Sequence, residues 1–199
     1  MGSPAPKTPK HTIADWLVQP EELRYELIDG ELVQKALPDF AHGDVQAGLG
    51  AILRPEFHRR GGSGHPGGWW IATEVDIQLG EHGFRPDVSG WRRDRVAVMP
   101  RGRPVTICPD WICEVLSRSN ASNDTLRKMH HYHRGEVPYY WILDPDTRSL
   151  TVHRNSAEGY VNILYAEASQ TVRAEPFHAI EIHVGLLFGE DMDDAPRSG

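Results

Sequence analysis

The segment from Val105 to Leu116 constrains the fold more than any other part of the chain. Its apolar residues would face both sides of a strand, and they are Ile107, Trp111, Ile112, Cys113, Val115 and Leu116. A strand that is apolar on both faces belongs in the middle of a sheet that is covered on both sides. Glu114 lies inside this strand, although burying an unpaired carboxylate costs several kcal/mol. The sequence therefore predicts that a cation, a proton or a metal ion compensates Glu114.

Local patterns before this strand predict two helices and a hairpin. Thr12 to Asp15 matches a capping box at the start of a short helix. Asp29-Gly30 separates two short apolar runs, which is the strongest local indication of a β-hairpin. Apolar residues recur at helical spacing from Val45 to Phe57, and we expect this helix to be capped at Gly61-Gly62.

The remaining periodicities complete an α/β fold. The alternating run from Trp69 to Leu79 predicts one strand, and Phe84 to Trp91 predicts the next, with Pro86-Asp87 inside it. A helix that ends near Arg134 follows the Val105–Leu116 strand. The side of this helix that is predicted to pack against the protein carries Leu126, Met129 and His133. Further strands are predicted at 139–143, 149–154, 160–165 and 178–184. We expect a mixed central β-sheet flanked by helices over residues 12–188, with flexible tails over 1–11 and 189–199.

Composition narrows the function classes only in part. The 199 residues carry a net charge of −7 and contain no apolar run of membrane-spanning length. An acidic chain gives no general support for nucleic-acid binding, so such binding would need a local basic patch. Arginines at 92, 93, 95, 101 and 103 form either a solvated loop or such a patch. Cys108 and Cys113 are expected to be unpaired thiols, which favours the cytoplasm.

Asp87, Glu114 and Lys128 together predict a metal site. Two carboxylates on adjacent strands can share an oxygen-preferring cation such as Mg²⁺, which would also compensate Glu114. A lysine from the following helix could then contact an attacking water or a phosphate, as metal-assisted phosphodiester hydrolysis requires. Three plainer interpretations stay open: Asp87 caps a turn, Glu114 pairs with an arginine, and Lys128 is solvated.

These residues lie in sequence blocks that resemble the Uma family of bacterial proteins. The blocks are YELIDGELV, the Ala41-His42 step, Arg85-Pro86-Asp87 and PDWICEVLSRSNASNDTLRKMHHYHRGEVPYYWILDP. The similarity runs from Trp16 to Phe188. That family has a restriction-endonuclease-like fold and is classed in the PD-(D/E)XK nuclease superfamily, so the resemblance implies this fold for nearly the whole chain.

The resemblance also implies roles for single residues. Asp87 and Glu114 would be the metal ligands of the PD and (D/E)XK elements, and Glu26 would lie near the metal. Leu116 stands where the superfamily pattern has lysine. The catalytic lysine would therefore come from the following helix, where Lys128 matches the family pattern.

Other polar residues are candidates for supporting roles. The resemblance implies that Tyr132 supports the lysine helix. His42 either positions a water molecule or caps a helix, and Glu74 faces the polar side of its strand, from which it could reach the metal. The helix histidines are interpreted as surface or packing residues rather than a transition-metal site, because no cysteine or acidic partner accompanies them: His130, His131 and His133.

Three functional hypotheses follow. The first is a Mg²⁺- or Mn²⁺-dependent DNA endonuclease, in which Asp87 and Glu114 hold the metal while Lys128 orients water or stabilises charge. The second is a non-catalytic binding or assembly module with the same fold, which the acidic net charge mildly favours. The third is hydrolysis of another phosphoester such as RNA, because fold does not determine substrate. We expect a cytoplasmic protein without membrane contact, and an exposed strand edge would allow a homodimer.

Overall fold

The computed structural model describes residues 10–62, 64–117 and 123–191, so most of both predicted tails lies outside it. The helices are α1 (Ile13–Leu17), α2 (Phe40–Phe57) and α3 (Asn123–Arg134). The strands are β1 (Tyr25–Ile28), β2 (Glu31–Gln34), β3 (Trp69–Thr73), β4 (Ile77–Leu79), β5 (His82–Phe84), β6 (Val88–Arg92), β7 (Trp111–Val115), β8 (Tyr139–Asp144), β9 (Ser149–Ser156), β10 (Gly159–Glu167), β11 (Thr171–Val172) and β12 (Ile182–His183).

A six-stranded mixed sheet forms the centre of the fold. Its strands run in the order β10-β9-β8-β7-β6-β3. The pair β7–β8 is parallel, and the other neighbouring pairs are antiparallel. The helix α3 lies in the connection from β7 to β8, as a parallel pair requires. β7 is buried along its whole length between β6 and β8, which confirms the prediction from its two apolar faces.

Separate apolar clusters cover the two faces of this sheet. On one face α2 and the 3₁₀ turn Val184–Phe188 contribute to a cluster that includes Leu53 and Trp141. The other face packs against α3 and the smaller sheet through residues such as Ile112 and Tyr132. Because side chains alternate along a strand, Glu114 shares the face of Ile112. The carboxylate therefore lies under α3.

A four-stranded antiparallel sheet carries the predicted hairpin, in the order β2-β1-β5-β4. Asp29 and Gly30 form its turn with φ of 56° and 82°, as a tight hairpin turn of the favoured hand requires. α1 packs on this sheet through the buried Trp16, whose indole N–H donates to the Tyr25 carbonyl at 2.5 Å. The predicted capping box at Thr12 is present.

Two predicted strands are each divided because the chain crosses between the sheets. The run from Trp69 to Leu79 forms β3 in the large sheet and β4 in the small one, with Glu74 between them at φ 54°. The run from Phe84 to Trp91 is likewise divided at Pro86-Asp87, between β5 and β6. Proline lacks the N–H that a sheet ladder needs. Asp87 consequently lies at the junction of the two sheets.

Other predicted boundaries are also wrong. α2 ends at Phe57, because His58 leaves helical geometry with φ −78° and ψ 48°, so Gly61-Gly62 does not cap it. β7 begins only at Trp111, and Ile107 is 41% exposed. The last predicted strand, 178–184, is reduced to β12.

The packed side of α3 differs in part from the predicted one: Met129 packs against the core as predicted, but Leu126 does not. Leu126 is 64% exposed, whereas Lys128 and Tyr132 are buried. The helix thus turns a charged residue toward the sheet in place of an apolar one. Burial of an ammonium group requires a partner, and carboxylates on β1 and β7 supply it.

Neither cysteine forms a disulfide. Cys113 is fully buried in β7, and Cys108 is half-buried before it. Among the helices of the described residues, none has the length and apolar character to cross a membrane.

Gly83 sets the distance between α1 and the small sheet. A β-carbon on Gly83 would overlap the Trp16 ring, so Gly83→Ala must displace the indole or β5. Overpacking of this kind costs about 1–3 kcal/mol. We expect that loss of unfolding free energy in urea denaturation followed by circular dichroism.

Gly43→Ala is the matched control for this substitution. Gly43 lies in α2, and an added β-carbon would meet nothing within 4 Å. Replacing a helical glycine should leave stability unchanged or raise it by about 0.5–1 kcal/mol. Equal stability of the Gly83→Ala and wild-type proteins would contradict the packing of α1.

Candidate active site

Glu114 is compensated by residues of α3. The Tyr132 hydroxyl donates to Glu114 Oε1 at 2.7 Å, and Lys128 Nζ lies 3.3 Å from the same oxygen. Lys128 and Tyr132 are one helical turn apart, so α3 presents both to β7. The buried carboxylate is therefore compensated by a lysine and a tyrosine. Among the described residues no arginine pairs with Glu114, so the arginine alternative is wrong there.

Lys128 is held between two carboxylates. Its Nζ lies 2.8 Å from Glu26 Oε2 as well as 3.3 Å from Glu114 Oε1. Glu26 is buried in β1, and its second oxygen accepts from the Arg85 backbone N–H at 2.8 Å. Lys128 is itself buried, so the interpretation of Lys128 as a solvated residue is wrong.

Asp87 is 0% exposed, and its oxygens have different partners. Oδ2 accepts the Val115 backbone N–H at 2.6 Å. Oδ1 lies 2.6 Å from Lys35 Nζ and 3.0 Å from His42 Nε2. The Asp87 side chain therefore joins β7, α2 and the residue after β2. Its partners among the described residues all lie far along the chain, so the interpretation of Asp87 as a local turn cap is wrong.

Lys35 is the residue of this cluster that the sequence interpretation missed. It follows β2, and its Nζ donates to the Arg85 carbonyl at 2.7 Å in addition to Asp87. The hairpin register contained the information needed to find it. A two-residue turn at Asp29-Gly30 pairs Glu26 with Val33, so Lys35, two residues later, faces the same side of the hairpin as Val33.

His42 and Glu74 both lie near Asp87. The cap of α2 is Asp39, whose carboxylate accepts the His42 backbone N–H at 2.9 Å, so the imidazole is free of a capping role. Glu74 is engaged by Arg24, whose terminal nitrogen lies 2.9 Å from both carboxylate oxygens. Ligand atoms of His42, Glu74 and Asp87 lie within 4.8 Å of one another.

The pKa values of Asp87 and Glu114 are shifted in opposite directions, although burial acts to raise both. Burial alone would raise the pKa of Asp87, but the Lys35 charge and the His42 hydrogen bond hold it well below its ordinary value. Burial raises the pKa of Glu114 to about 7, and the charges of Lys128 and Lys35 offset this only in part. Asp87 is therefore ionised at neutral pH, whereas Glu114 exchanges its proton near that pH.

A small cavity lies beside these groups. It has a volume of about 50 Å³ and is lined by Lys35, His42, Asp87, Glu114 and Lys128 together with residues of the β7 exit. This volume admits a few water molecules.

The donor set suits a divalent cation. Carboxylate oxygens are the ligands that Mg²⁺ and Mn²⁺ prefer. The Lys35 ammonium already stands as a cation between Asp87 Oδ1 at 2.6 Å, Glu74 Oε2 at 3.7 Å and Glu114 Oε2 at 4.0 Å. Asp87 and Glu114 therefore fit the ligand roles that such an ion would need.

A second cluster joins the hairpin to α3. His131 Nε2 lies 3.2 Å from Asp29 Oδ1, and His82 Nδ1 accepts the Asp29 backbone N–H at 3.2 Å. The expectation that no acidic residue accompanies the helix histidines is therefore wrong. Arg127 also pairs with Asp29, at 3.1 Å. These contacts join the β1–β2 hairpin, which carries Glu26, to α3, which carries Lys128.

Three of the five arginines of the arginine-rich loop pair with neighbouring acids. Arg92 pairs with Asp94, Arg95 with Asp110, and Arg103 with Asp76, at 2.7–2.8 Å. Arg93 stacks over the Trp70 ring at 3.5 Å. Little positive charge is left in these pairs for a nucleic acid.

A comparison with protein-family models matches most of the chain. The family described as "Uma2: Putative restriction endonuclease" matches residues 12–185. The chain belongs to the Uma2 family. This confirms the resemblance found in the sequence. No curated protein matches the chain.

A solved structure has the same fold. It is described as "a putative nuclease belonging to DUF820" from Anabaena variabilis. It superposes on this Uma2 protein with a TM-score of 0.69, covering 89% of this chain and 97% of the other at 22% identity. The fold is therefore the restriction-endonuclease-like α/β fold that the sequence predicted.

The raised pKa of Glu114 has a consequence for stability. Between its ordinary value of 4.5 and about 7, the folded protein retains a proton that the unfolded chain releases. The contribution of Glu114 to the free energy of unfolding must therefore fall as the pH rises from 4.5 to about 7. We expect the unfolding free energy of wild type, relative to Glu114→Gln, to fall by about 1–3 kcal/mol between pH 5 and 7.5.

Urea unfolding of both proteins in EDTA measures this difference. The glutamine variant keeps the shape of the side chain and removes its titration, while all other titrating groups remain common to both proteins. A difference that does not change with pH would contradict the raised pKa.

Proposed function

We propose that this Uma2 protein is a divalent-metal-dependent nuclease that hydrolyses phosphodiester bonds in DNA. The observation that supports this most directly is the convergence of Asp87, Glu114 and Lys128 on one cavity. Hard carboxylate ligands beside a buried lysine are the groups that metal-assisted phosphoryl chemistry uses. The family match supports the same reaction class.

Asp87 and Glu114 are the proposed metal ligands. Asp87 Oδ2 is held by the Val115 N–H, which fixes the carboxylate and leaves Oδ1 directed toward the cation position. Glu114 Oε1 is held by Tyr132 and Lys128, which leaves Oε2 on the side of Lys35. Each carboxylate thus has one oxygen held by other partners and one on the side of Lys35, and Asp87 Oδ1 is also held by His42 Nε2 at 3.0 Å.

A divalent ion bound there supplies Lewis-acid polarisation of a phosphate oxygen and lowers the pKa of its bound water. Lys128 is proposed to stabilise the charge that develops on the phosphate, because its ammonium lines the cavity. Glu26 positions that ammonium through the 2.8 Å ion pair. His42 and Gln46 hold Asp87, at its side chain and its carbonyl respectively.

DNA is the proposed substrate because a restriction endonuclease acts on DNA. The net charge of −7 and the paired arginine loop predict weak, salt-sensitive binding. RNA presents the same phosphodiester to the site. The cleavage assay below therefore includes single-stranded DNA, supercoiled DNA and RNA.

A non-catalytic module is the second candidate. The observation that favours it is the close ion pair between Lys35 and Asp87. This pair already neutralises Asp87, which is one of the two proposed metal ligands. In this case the buried charged residues around Asp87 would stabilise the fold and would have no catalytic role.

Removal of single site residues separates the two candidates. With Mg²⁺ or Mn²⁺ the wild-type protein should cleave nucleic acid, and Asp87→Asn or Glu114→Ala should abolish the reaction by removing a ligand. Lys128→Met should slow it by about 10²–10³-fold, as loss of one charge-stabilising group does. Initial rates on the three substrates measure these effects.

Asp94→Asn is the control, because Asp94 is an exposed carboxylate whose ion-pair partner among the described residues is the surface residue Arg92. It should cleave at the wild-type rate. Undiminished cleavage by Glu114→Ala, or no cleavage by folded wild type with either metal on any substrate, would sink the nuclease proposal.

A further inference from the structure

The Lys35 ammonium lies beside the Asp87 and Glu114 oxygens that are proposed to bind the metal. Asp87 Oδ1 lies 2.6 Å from Lys35 Nζ, and Glu114 Oε2 lies 4.0 Å from it. The other oxygen of each carboxylate is engaged, by Val115 N–H in one case and by Tyr132 and Lys128 in the other. A cation that bridges Asp87 and Glu114 must use the two oxygens that face Lys35.

An ammonium and a divalent ion cannot share this place. Mg²⁺ binds oxygen at about 2.0–2.1 Å and requires several ligands around it. The Lys35 nitrogen lies within hydrogen-bond distance of Asp87 Oδ1, so an ion bound to that oxygen from the same side would collide with it. Repulsion between the two cations in a buried site adds to the steric conflict.

We propose that Lys35 is an internal counterion that closes the metal position, and that a divalent ion binds only after the Lys35 ammonium leaves Asp87 Oδ1. This inference rests on the proposed function and adds a residue to it. Before the ion enters, Lys35 neutralises the buried Asp87 that would otherwise have only His42 and a backbone N–H. After it enters, the ion takes over that neutralisation.

The location of Lys35 permits this movement. The residue follows β2, which is an edge strand of the small sheet, and its side chain lines the same cavity as Lys128. A lysine side chain has a flexible four-carbon stem. The ammonium can therefore withdraw into the cavity without movement of the sheet, and there it would face the phosphate beside Lys128.

Metal affinity measured without nucleic acid tests the inference. Isothermal titration of Mn²⁺ into Lys35→Met should show binding about tenfold or more tighter than wild type, because a competing charge has left the site. Arg24→Met is the matched control, because it also removes one positive charge. The terminal nitrogen of Arg24 lies 2.9 Å from the Glu74 carboxylate, and Arg24 contacts neither Asp87 nor Glu114. Its affinity should change by less than about threefold.

Several outcomes would overturn the inference. Unchanged or weaker binding by Lys35→Met contradicts competition, and equal tightening in both variants shows only a general charge effect. Absence of Mn²⁺ binding in both wild type and Lys35→Met also overturns it. Binding by Lys35→Met alone supports it, because Lys35 then excludes the ion.

A crystal structure of the wild-type protein with Mn²⁺ tests the same point without a substitution, which matters if Lys35→Met does not fold. The expected result is an anomalous peak between Asp87 and Glu114 with Lys35 Nζ withdrawn from Asp87. An ion there with the Lys35–Asp87 contact intact contradicts the inference. A displaced Lys35 in a protein that cuts no nucleic acid would leave this inference standing and overturn the proposed nuclease function.

Discussion

The buried carboxylate of Asp87 is the interaction on which the rest of the site depends. Its two oxygens take a backbone N–H from β7, an imidazole from α2 and an ammonium from the residue after β2. A buried carboxylate without such partners costs several kcal/mol. The elements that supply these partners must therefore be in place together. The junction between the two sheets, where Asp87 lies, is thus coupled to the packing of both.

A connected set of charges extends from this point. Glu26 and Glu114 share Lys128, while Arg85 binds Asp76 with two hydrogen bonds of 2.6 and 2.9 Å. Buried ion pairs are weak evidence for stability, because apolar residues of similar volume often stabilise a fold as well or better. The charges of Lys35, Asp87, Glu114 and Lys128 line one cavity, and the proposed binding of a cation and a phosphate would account for their placement there.

The sequence predicted those features that depend on local chemistry. The hairpin at Asp29-Gly30 and the central strand β7 follow from turn residues and apolar patterning alone. The need to compensate Glu114 was predicted from burial. Lys128 was proposed as the lysine of the following helix, and the family pattern supported that choice.

Features that depend on tertiary contacts were not predicted. The chain changes sheets at Glu74 and again at Asp87, which periodicity cannot show, because both halves of each run alternate as one strand would. Lys35 was missed because nothing in its local sequence marks it; only the hairpin register places it near Glu26. The cytoplasmic location, the homodimer and the domain bounds at 12 and 188 stay predictions.

Metal-dependent attack on a phosphodiester is the central claim, and sulfur substitution of the substrate tests it most directly. DNA in which one non-bridging phosphate oxygen is replaced by sulfur should be cleaved poorly with Mg²⁺, because a hard cation binds sulfur weakly. The softer Mn²⁺ or Cd²⁺ should restore cleavage of the sulfur substrate relative to the oxygen substrate. Equal rates on both substrates with every ion, or cleavage that persists in EDTA, would contradict a metal bound to the phosphate at Asp87 and Glu114.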